Sequence, residues 1–170
     1  MGTALAIPAL RSLAGDEPMG LDELQNSWRS YLPEGHTPPA VDDKLTLSKA
    51  EWRERLSPEA FKVLRKAGTE YPGSSPLNNE KRRGVYACAG CGLPLFTSDM
   101  KYDSGTGWPS YFTHIPGVFE KETDYKLIFP RTEYHCARCG GHHGHVFKDG
   151  PRPTGERWCN NGVALEFLAA

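Results

Sequence analysis

Apolar residues follow two regimes along this chain: helical spacing in the first part, then short runs cut by Gly, Pro, Asn and Asp from Val85 onward. Leu21, Leu24, Trp28 and Leu32 lie on one helical stripe that Pro33 ends, which predicts a helix on the domain surface. Residues 35–39 are a polar, Pro-bearing linker. Ser48-Lys49-Ala50-Glu51 has the spacing of a capping box. Ser57-Pro58-Glu59 opens a further helix, with Gly68 at the expected C-terminus. The later runs, 85–87, 93–97, 111–115, 118–121, 125–129, 145–147 and 163–168, predict strands. The expected fold class is mainly β, an antiparallel domain with short N-terminal helices.

Length and composition narrow this picture. A chain of 170 residues buries one proper core, so residues 44–170 are expected to form a single domain and residues 1–43 an N-terminal extension. With 18 Gly and 14 Pro the chain is turn-rich without low complexity, as suits a small β domain that leans on a metal. Lys+Arg 20 against Asp+Glu 21 leaves no basic field to argue for nucleic acid. No segment is long and apolar enough to argue for a membrane span. The apolar run at residues 4–10 reads as ordinary chain or as the remnant of a trimmed export signal. Free thiols suit a reducing compartment, so cytoplasmic placement is the first expectation and an exported one the alternative.

The five cysteines divide in two ways. Cys88/Cys91 and Cys136/Cys139 are CxxC pairs, each followed by glycine that lets the knuckle turn tightly. Four thiolates close a tetrahedron with no open position, so the pairs read as one structural zinc site, with two disulfides as the competing arrangement. Ligand type alone leaves iron open. Cys159 is the remaining thiol. If 157–167 is one extended run, Arg157, Cys159 and Asn161 share a face with Val163, Leu165 and Phe167. Arg157 then favours the thiolate, the nucleophilic form. A buried, inert cysteine beside a surface arginine is the other reading.

Two further segments bear on that choice. Gly141-His142-His143-Gly144-His145-Val146-Phe147 places three of the six histidines together. They are alternative zinc ligands, which four cysteines make unnecessary, or donors and acids beside a reaction centre. His142 and His145 read as functional and His143 as a packing residue. The loop Asp103-Ser104-Gly105-Thr106-Gly107-Trp108-Pro109-Ser110 offers an indole as packing or as the wall of an apolar pocket.

Taken in order, Cys88-Ala89-Gly90-Cys91-Gly92, Gly107-Trp108-Pro109-Ser110, Cys136-Ala137-Arg138-Cys139, the segment from Gly144-His145-Val146-Phe147 to Pro151, and Pro153-Thr154-Gly155-Glu156-Arg157-Trp158-Cys159-Asn160-Asn161 resemble the B-type methionine sulfoxide reductases over residues 47–168. The resemblance implies two antiparallel sheets with one structural zinc, held by Cys88, Cys91, Cys136 and Cys139, on the face away from the active site. It implies Cys159 as nucleophile, His142, His145 and Asn161 as its catalytic companions, and Trp108 as the indole that receives the S-methyl group; Arg157, on the same strand face as the thiol, is expected to join the catalytic set and Phe147 the substrate wall. The implied substrate is methionine-R-sulfoxide in proteins or peptides, reduced through a sulfenic acid at Cys159.

The chain departs from the common family pattern at Thr106, where many members carry a resolving cysteine. A one-cysteine cycle is therefore expected, with thioredoxin, or glutathione followed by glutaredoxin, as reductant. A zinc cysteine exchanging roles is the alternative. A monomer is expected. Two other function classes compete: a zinc-ribbon-like binding module, which leaves Cys159 unexplained, and a thiol peroxidase, which has no need of an indole pocket.

Overall fold

The computed structural model of the protein describes residues 19–170, so the apolar run at 4–10 lies outside the described residues. Two antiparallel sheets form the body, as expected. The smaller has β1 (Gly84–Cys88) between β2 (Pro94–Thr97) and β9 (Leu165–Ala169). The larger contains β3 (Lys101–Tyr102), β4 (Ser110–Tyr111), β5 (Phe119–Asp124), β6 (Arg131–Cys136), β7 (His142–Phe147) and β8 (Arg157–Asn160). Its order is β3-β4-β8-β7-β6-β5.

An aromatic core joins the sheets. Tyr86, Phe96, Tyr111, Tyr134 and Trp158 are all fully buried. Phe96 stacks on Tyr111 at 3.8 Å and Tyr134 meets Trp158 edge-on at 4.8 Å. Such rings bring large apolar area and fixed geometry to a domain of modest size.

The helices start where the sequence says. After α1 (Leu21–Asn26), Ser48 and Glu51 make the capping box of α2 (Lys49–Arg55). Ser57 caps α3 (Pro58–Lys66), which buries Ala60, Phe61, Val63 and Leu64. Its end differs in detail from the expectation: Ala67, not Gly68, takes the left-handed conformation at φ 50°, and the Gly68 N–H closes onto the Lys62 carbonyl at 3.0 Å.

The single N-terminal helix gives way to two pieces, α1 and a 3-10 turn over Trp28–Tyr31. The tighter turn brings Tyr31 inward instead of continuing the Leu stripe. Tyr31 is 1 % exposed, donates to Asp99 Oδ2 at 2.8 Å and lies under the Arg83 guanidinium. Leu24 is buried as well, so this segment is packed into the body and does more than lie on it.

Three strand expectations need correction. Residues 125–129 form no strand, because β5 and β6 close their ladder at Asp124↔Arg131 and leave these residues as an exposed connection. Of 111–115, only Tyr111 belongs to a strand. The run 157–167 is broken: β8 stops at Asn160, a 3-10 turn spans Gly162–Ala164, and β9 joins the other sheet. Asn161, Val163, Leu165 and Phe167 therefore do not continue the face of Arg157 and Cys159. No helix of the described residues is long and apolar enough to cross a membrane.

Candidate active site and metal centre

The two CxxC knuckles meet although they come from different sheets. Cys88 ends β1 and Cys136 ends β6, and Cys91 and Cys139 lie in the turns that follow. All four are buried and free, with their Sγ atoms within 4.8 Å of one another. Cys88 to Cys139 is 3.7 Å and Cys91 to Cys136 is 3.5 Å. The edge of a tetrahedron with metal–sulfur bonds of about 2.3 Å is about 3.8 Å, whereas a disulfide needs about 2.05 Å. The cluster thus fits a closed metal site, and the disulfide alternative does not fit it.

Arginines satisfy the knuckle carbonyls: Arg55 Nε donates to Gly90 O at 2.7 Å, Arg65 Nη1 to Cys139 O at 2.8 Å, and Arg138 Nη1 to Cys91 O at 3.0 Å. His143 is fully buried with Nε2 3.3 Å from Cys88 Sγ. Its packing role thus has a chemical side, since a polar neighbour orients a ligand sulfur.

The fifth cysteine lies in β8, on the outward face of the larger sheet. Along β8 burial alternates: Trp158 and Asn160 turn into the core, Arg157 and Cys159 turn outward. Asn160 anchors the inner face by accepting from the Tyr134 hydroxyl at 2.9 Å. Cys159 pairs across the ladder with His145, and both open into a cavity of about 250 Å³. Thr106, Trp108, Phe147, Arg157 and Asn161 also line it.

β7 reaches both centres through a bulge. Tyr134 pairs with Gly144 and His135 with His142, which leaves His143 as an extra residue. The extra residue restores His142 and His145 to one face, their rings 5.5 Å apart, while His143 turns toward the cysteine cluster. Gly144 is required because a Cβ there would fall on the Cys159 carbonyl oxygen.

The structure separates the two histidines expected to act together. His145 lines the cavity; His142 lies behind it, 2 % exposed, and does not. Glu133 Oε2 is 3.0 Å from His142 Nδ1, but at an angle that makes no hydrogen bond, so neither ring nitrogen has a partner. Burial first, and then the neighbouring imidazoles, push His142 down to about 3. Burial also lowers His145, partly opposed by Asp124, whose Oδ2 is 2.8 Å from His145 Nε2.

Arg157 does less for the thiol than its position suggested. Burial raises Cys159 above an ordinary thiol, and Arg157 opposes that rise without cancelling it. Part of the guanidinium is engaged elsewhere: Nε and Nη2 grip Asp149 at 2.9 and 3.0 Å, and the group lies 4.3 Å over the Phe147 ring.

Sequence reasoning missed Asp124, Glu133 and Glu70. Glu70 braces the site from behind: its carbonyl accepts the Trp108 indole N–H at 3.1 Å and its N–H donates to Asn161 Oδ1 at 2.9 Å. Its carboxylate receives the N–H groups of Gly162 and Val163 at 2.6 and 2.9 Å. Asn161 Nδ2 donates to His143 O at 2.9 Å, so this carboxamide is fixed at both ends. Recognition of β6 as a strand would have put Glu133 opposite His145; nothing local in the sequence marks Glu70.

An enclosed four-cysteine cluster that suits a metal lies behind the larger sheet, and a lone thiol beside histidine and indole lies in front of it, a pairing that fits an oxidoreductase. Residues 56–169 match the SelR domain, and the chain belongs to that family, the B-type methionine sulfoxide reductases, which act on methionine sulfoxide in proteins. It is 50 % identical over 125 residues to the peptide methionine sulfoxide reductase MsrB of Agrobacterium fabrum, covering 73 % of this chain and 93 % of that one. It is 51 % identical over 126 residues to the MsrB of Leifsonia xyli, covering 73 % and 91 %. Peptide methionine sulfoxide reductase B1, chloroplastic, of Arabidopsis thaliana is 42 % identical over 164 residues, and that match covers 95 % of this chain and 81 % of the relative.

Proposed function

We propose that the protein reduces the R epimer of methionine sulfoxide in polypeptides by a one-cysteine cycle at Cys159. The carrying observation is the shared cavity of Cys159, His145 and Trp108, set apart from four cysteines that converge on one another. The Trp108 indole, fixed by Glu70, receives the S-methyl group, and His145 faces the sulfoxide oxygen. Methyl and oxygen held at two fixed points present only one epimer's sulfur to the thiol.

The Cys159 proton passes to neutral His145 as Sγ attacks, and His145 delivers it to the sulfoxide oxygen. Oxygen and proton end on Cys159 as sulfenic acid; methionine leaves, its sulfur reduced by two electrons and that of Cys159 oxidised by two. Asp124 positions the imidazole, and Asn161, His142 and Glu133 support its surroundings. Arg157 and Phe147 form the opposite wall.

Thr106 lies in the cavity wall and cannot resolve the sulfenic acid. An external thiol therefore forms a mixed disulfide with release of water, and a second thiol frees Cys159. Thioredoxin, or glutathione with glutaredoxin, supplies those thiols. Zinc is the metal assigned to Cys88, Cys91, Cys136 and Cys139, where it supplies a structural cross-link. Residues 44–170 constitute the catalytic unit and 1–43 an extension. Cytoplasm satisfies the need for reduced thiols, as does the interior of a plastid, the compartment in the name of the Arabidopsis relative.

Pre-reduced protein, incubated with each epimer in a peptide and no reductant, is expected to form about one methionine per chain from the R epimer alone, leaving sulfenic acid at Cys159. Equal use of both epimers would refute the positioning argument. An internal disulfide after that turnover would refute the one-cysteine cycle.

A further inference from the structure

A short connection beside the thiol cavity carries most of the exposed apolar bulk. Tyr125, Leu127, Ile128 and Phe129 are 77, 59, 94 and 80 % exposed, whereas the other exposed large hydrophobics of the described residues, Met19 and Tyr71, stand apart in sequence. Isolated exposed apolar side chains are normal, but a contiguous set calls for a cause. Chain geometry alone does not supply one, because a connection of this kind works equally well with polar residues.

The roots of the connection belong to the site. Asp124 accepts from the Lys126 backbone and from Arg131 Nη2, both at 2.8 Å, and holds His145 at the same distance. Arg131 itself lines the cavity with Cys159. The base is thus pinned to the reaction centre through Asp124 and Arg131, while the apolar tip projects beyond the cavity lining into solvent.

β6 lies two strands from β8, with Glu133 in register with Cys159 and Arg131 two residues further along, so Arg131 is about 12 Å from Cys159 across the sheet. An extended polypeptide covers that distance in about three to four residues and reaches the tip in about six. We propose that Tyr125, Leu127, Ile128 and Phe129 dock apolar residues of the oxidised polypeptide, about three to six positions from the methionine sulfoxide held in the cavity. This rests on the reductase reading and adds a preference for apolar surroundings of the target residue.

The position favours substrate over other occupants. Loop and cavity are within reach of one extended segment at one time, so a peptide gains from both while its sulfoxide is bound. A reductant meets Cys159 only after methionine has left. A second copy seated on the loop would cover the cavity rim and compete with the substrate. Methionine in folded proteins commonly has apolar neighbours, and its oxidation disrupts such packing.

The test compares N-acetylmethionine-R-sulfoxide, a peptide carrying Leu and Phe about three to six positions from the R-sulfoxide on both sides, and the same peptide with Gly and Ser at those positions, with dithiothreitol as reductant. Wild-type protein is expected to favour the apolar peptide by about tenfold in kcat/KM, less than the full burial of one Leu side chain would supply. The combined Leu127→Ser, Ile128→Ser and Phe129→Ser variant should erase that preference through KM and leave the acetylated amino acid unaffected. Ile128→Glu alone repeats the test if the triple variant melts early. A preference that survives in the folded variants, or is missing from wild type, overturns the docking proposal. So does an effect confined to the KM of a protein dithiol reductant, or to self-association measured by sedimentation. Failure to reduce the acetylated amino acid and both peptides instead removes the reductase reading, and this proposal with it.

Discussion

Cysteine stands in two opposite settings at the two ends of this molecule. At the metal end four thiols converge in a closed cluster, their turns held by arginines; at the other end one thiol opens into a cavity and is left without a cysteine partner. The difference is made by strand geometry more than by distance. β7 sends His143 inward to Cys88 and His145 outward to the Cys159 cavity, and one bulge makes both orientations possible within four residues. The cysteine cluster and the lone thiol are kept apart by the two faces of the larger sheet.

The largest effect should come from opening the metal end. Structural zinc contributes about 10–16 kcal/mol in small zinc domains, comparable with the whole stability of a domain at about 5–15 kcal/mol. Cys136→Ser, or strong chelation, is expected to unfold the body and abolish activity together, as read by circular dichroism and a thermal melt. A folded, metal-free protein with full activity would break the comparison at its root.

Cys159→Ser should remove methionine formation to background while zinc content is retained and stability changes by no more than about 1 kcal/mol. Elemental analysis and a melt read those two properties on the same sample. Loss of metal in this variant would mean that the two ends are coupled in a way the faces of the sheet do not allow.

Asp124→Asn sharpens the description of the thiol end. It removes the carboxylate that holds His145 and opposes the lowering of its pKa. The rate should fall by about ten- to a hundredfold, part of what a positioned acid–base group supplies. The acidic limb of the rate profile should move to lower pH, because the imidazolium loses its stabilising charge. An unchanged profile would leave Asp124 a structural residue only.

Arg157→Ala tests the thiol itself. Cys159 already stands above an ordinary thiol, so single-turnover rates should rise toward alkaline pH. Removing the cation disfavours thiolate further and should move that alkaline limb to still higher pH, with a smaller loss at neutral pH than Asp124→Asn causes. A limb that moves downward would contradict the opposition between burial and Arg157.

What could be read from sequence depended on whether the signal was local. Both CxxC knuckles and the Ser48 and Ser57 caps carry their chemistry in adjacent residues and occupy the expected kinds of place, and Cys159 of Arg157-Trp158-Cys159 faces a cavity. β6 escaped notice because its outer face presents Glu133 and His135 to other polar groups, which spoils the apolar alternation of an inner strand. β5 was only half seen because it is an edge strand whose Glu120, Lys121 and Glu122 face solvent. The run 125–129 misled in the opposite sense: it has strand-like residues and no strand to pair with. Glu70 could not be found from its neighbours at all, since its four partners, Trp108, Asn161, Gly162 and Val163, come from distant parts of the chain.

Thr106→Cys is the mildest intervention and changes the fate of the product more than the rate of its formation. Thr106 and Cys159 line one cavity, and the Thr106 hydroxyl is tied to Ser104 at 2.8 Å, with Ser104 in turn 2.8 Å from Ser110, the β4 partner of Cys159. Replacing the threonine frees that contact and puts a second thiol in the wall. A disulfide needs the two Cα atoms within about 4.4–6.8 Å, which a loop of this kind reaches with a small shift once sulfenic acid gives it a reason to close. After one turnover without reductant, intact mass should show loss of two hydrogens in the variant and gain of one oxygen in the parent. The variant should then be recycled by thioredoxin through that disulfide. Retention of sulfenic acid in a folded variant would mean that the loop holds its sulfur away from Cys159, so that the thiol end, like the metal end, is fixed by its surroundings even during turnover.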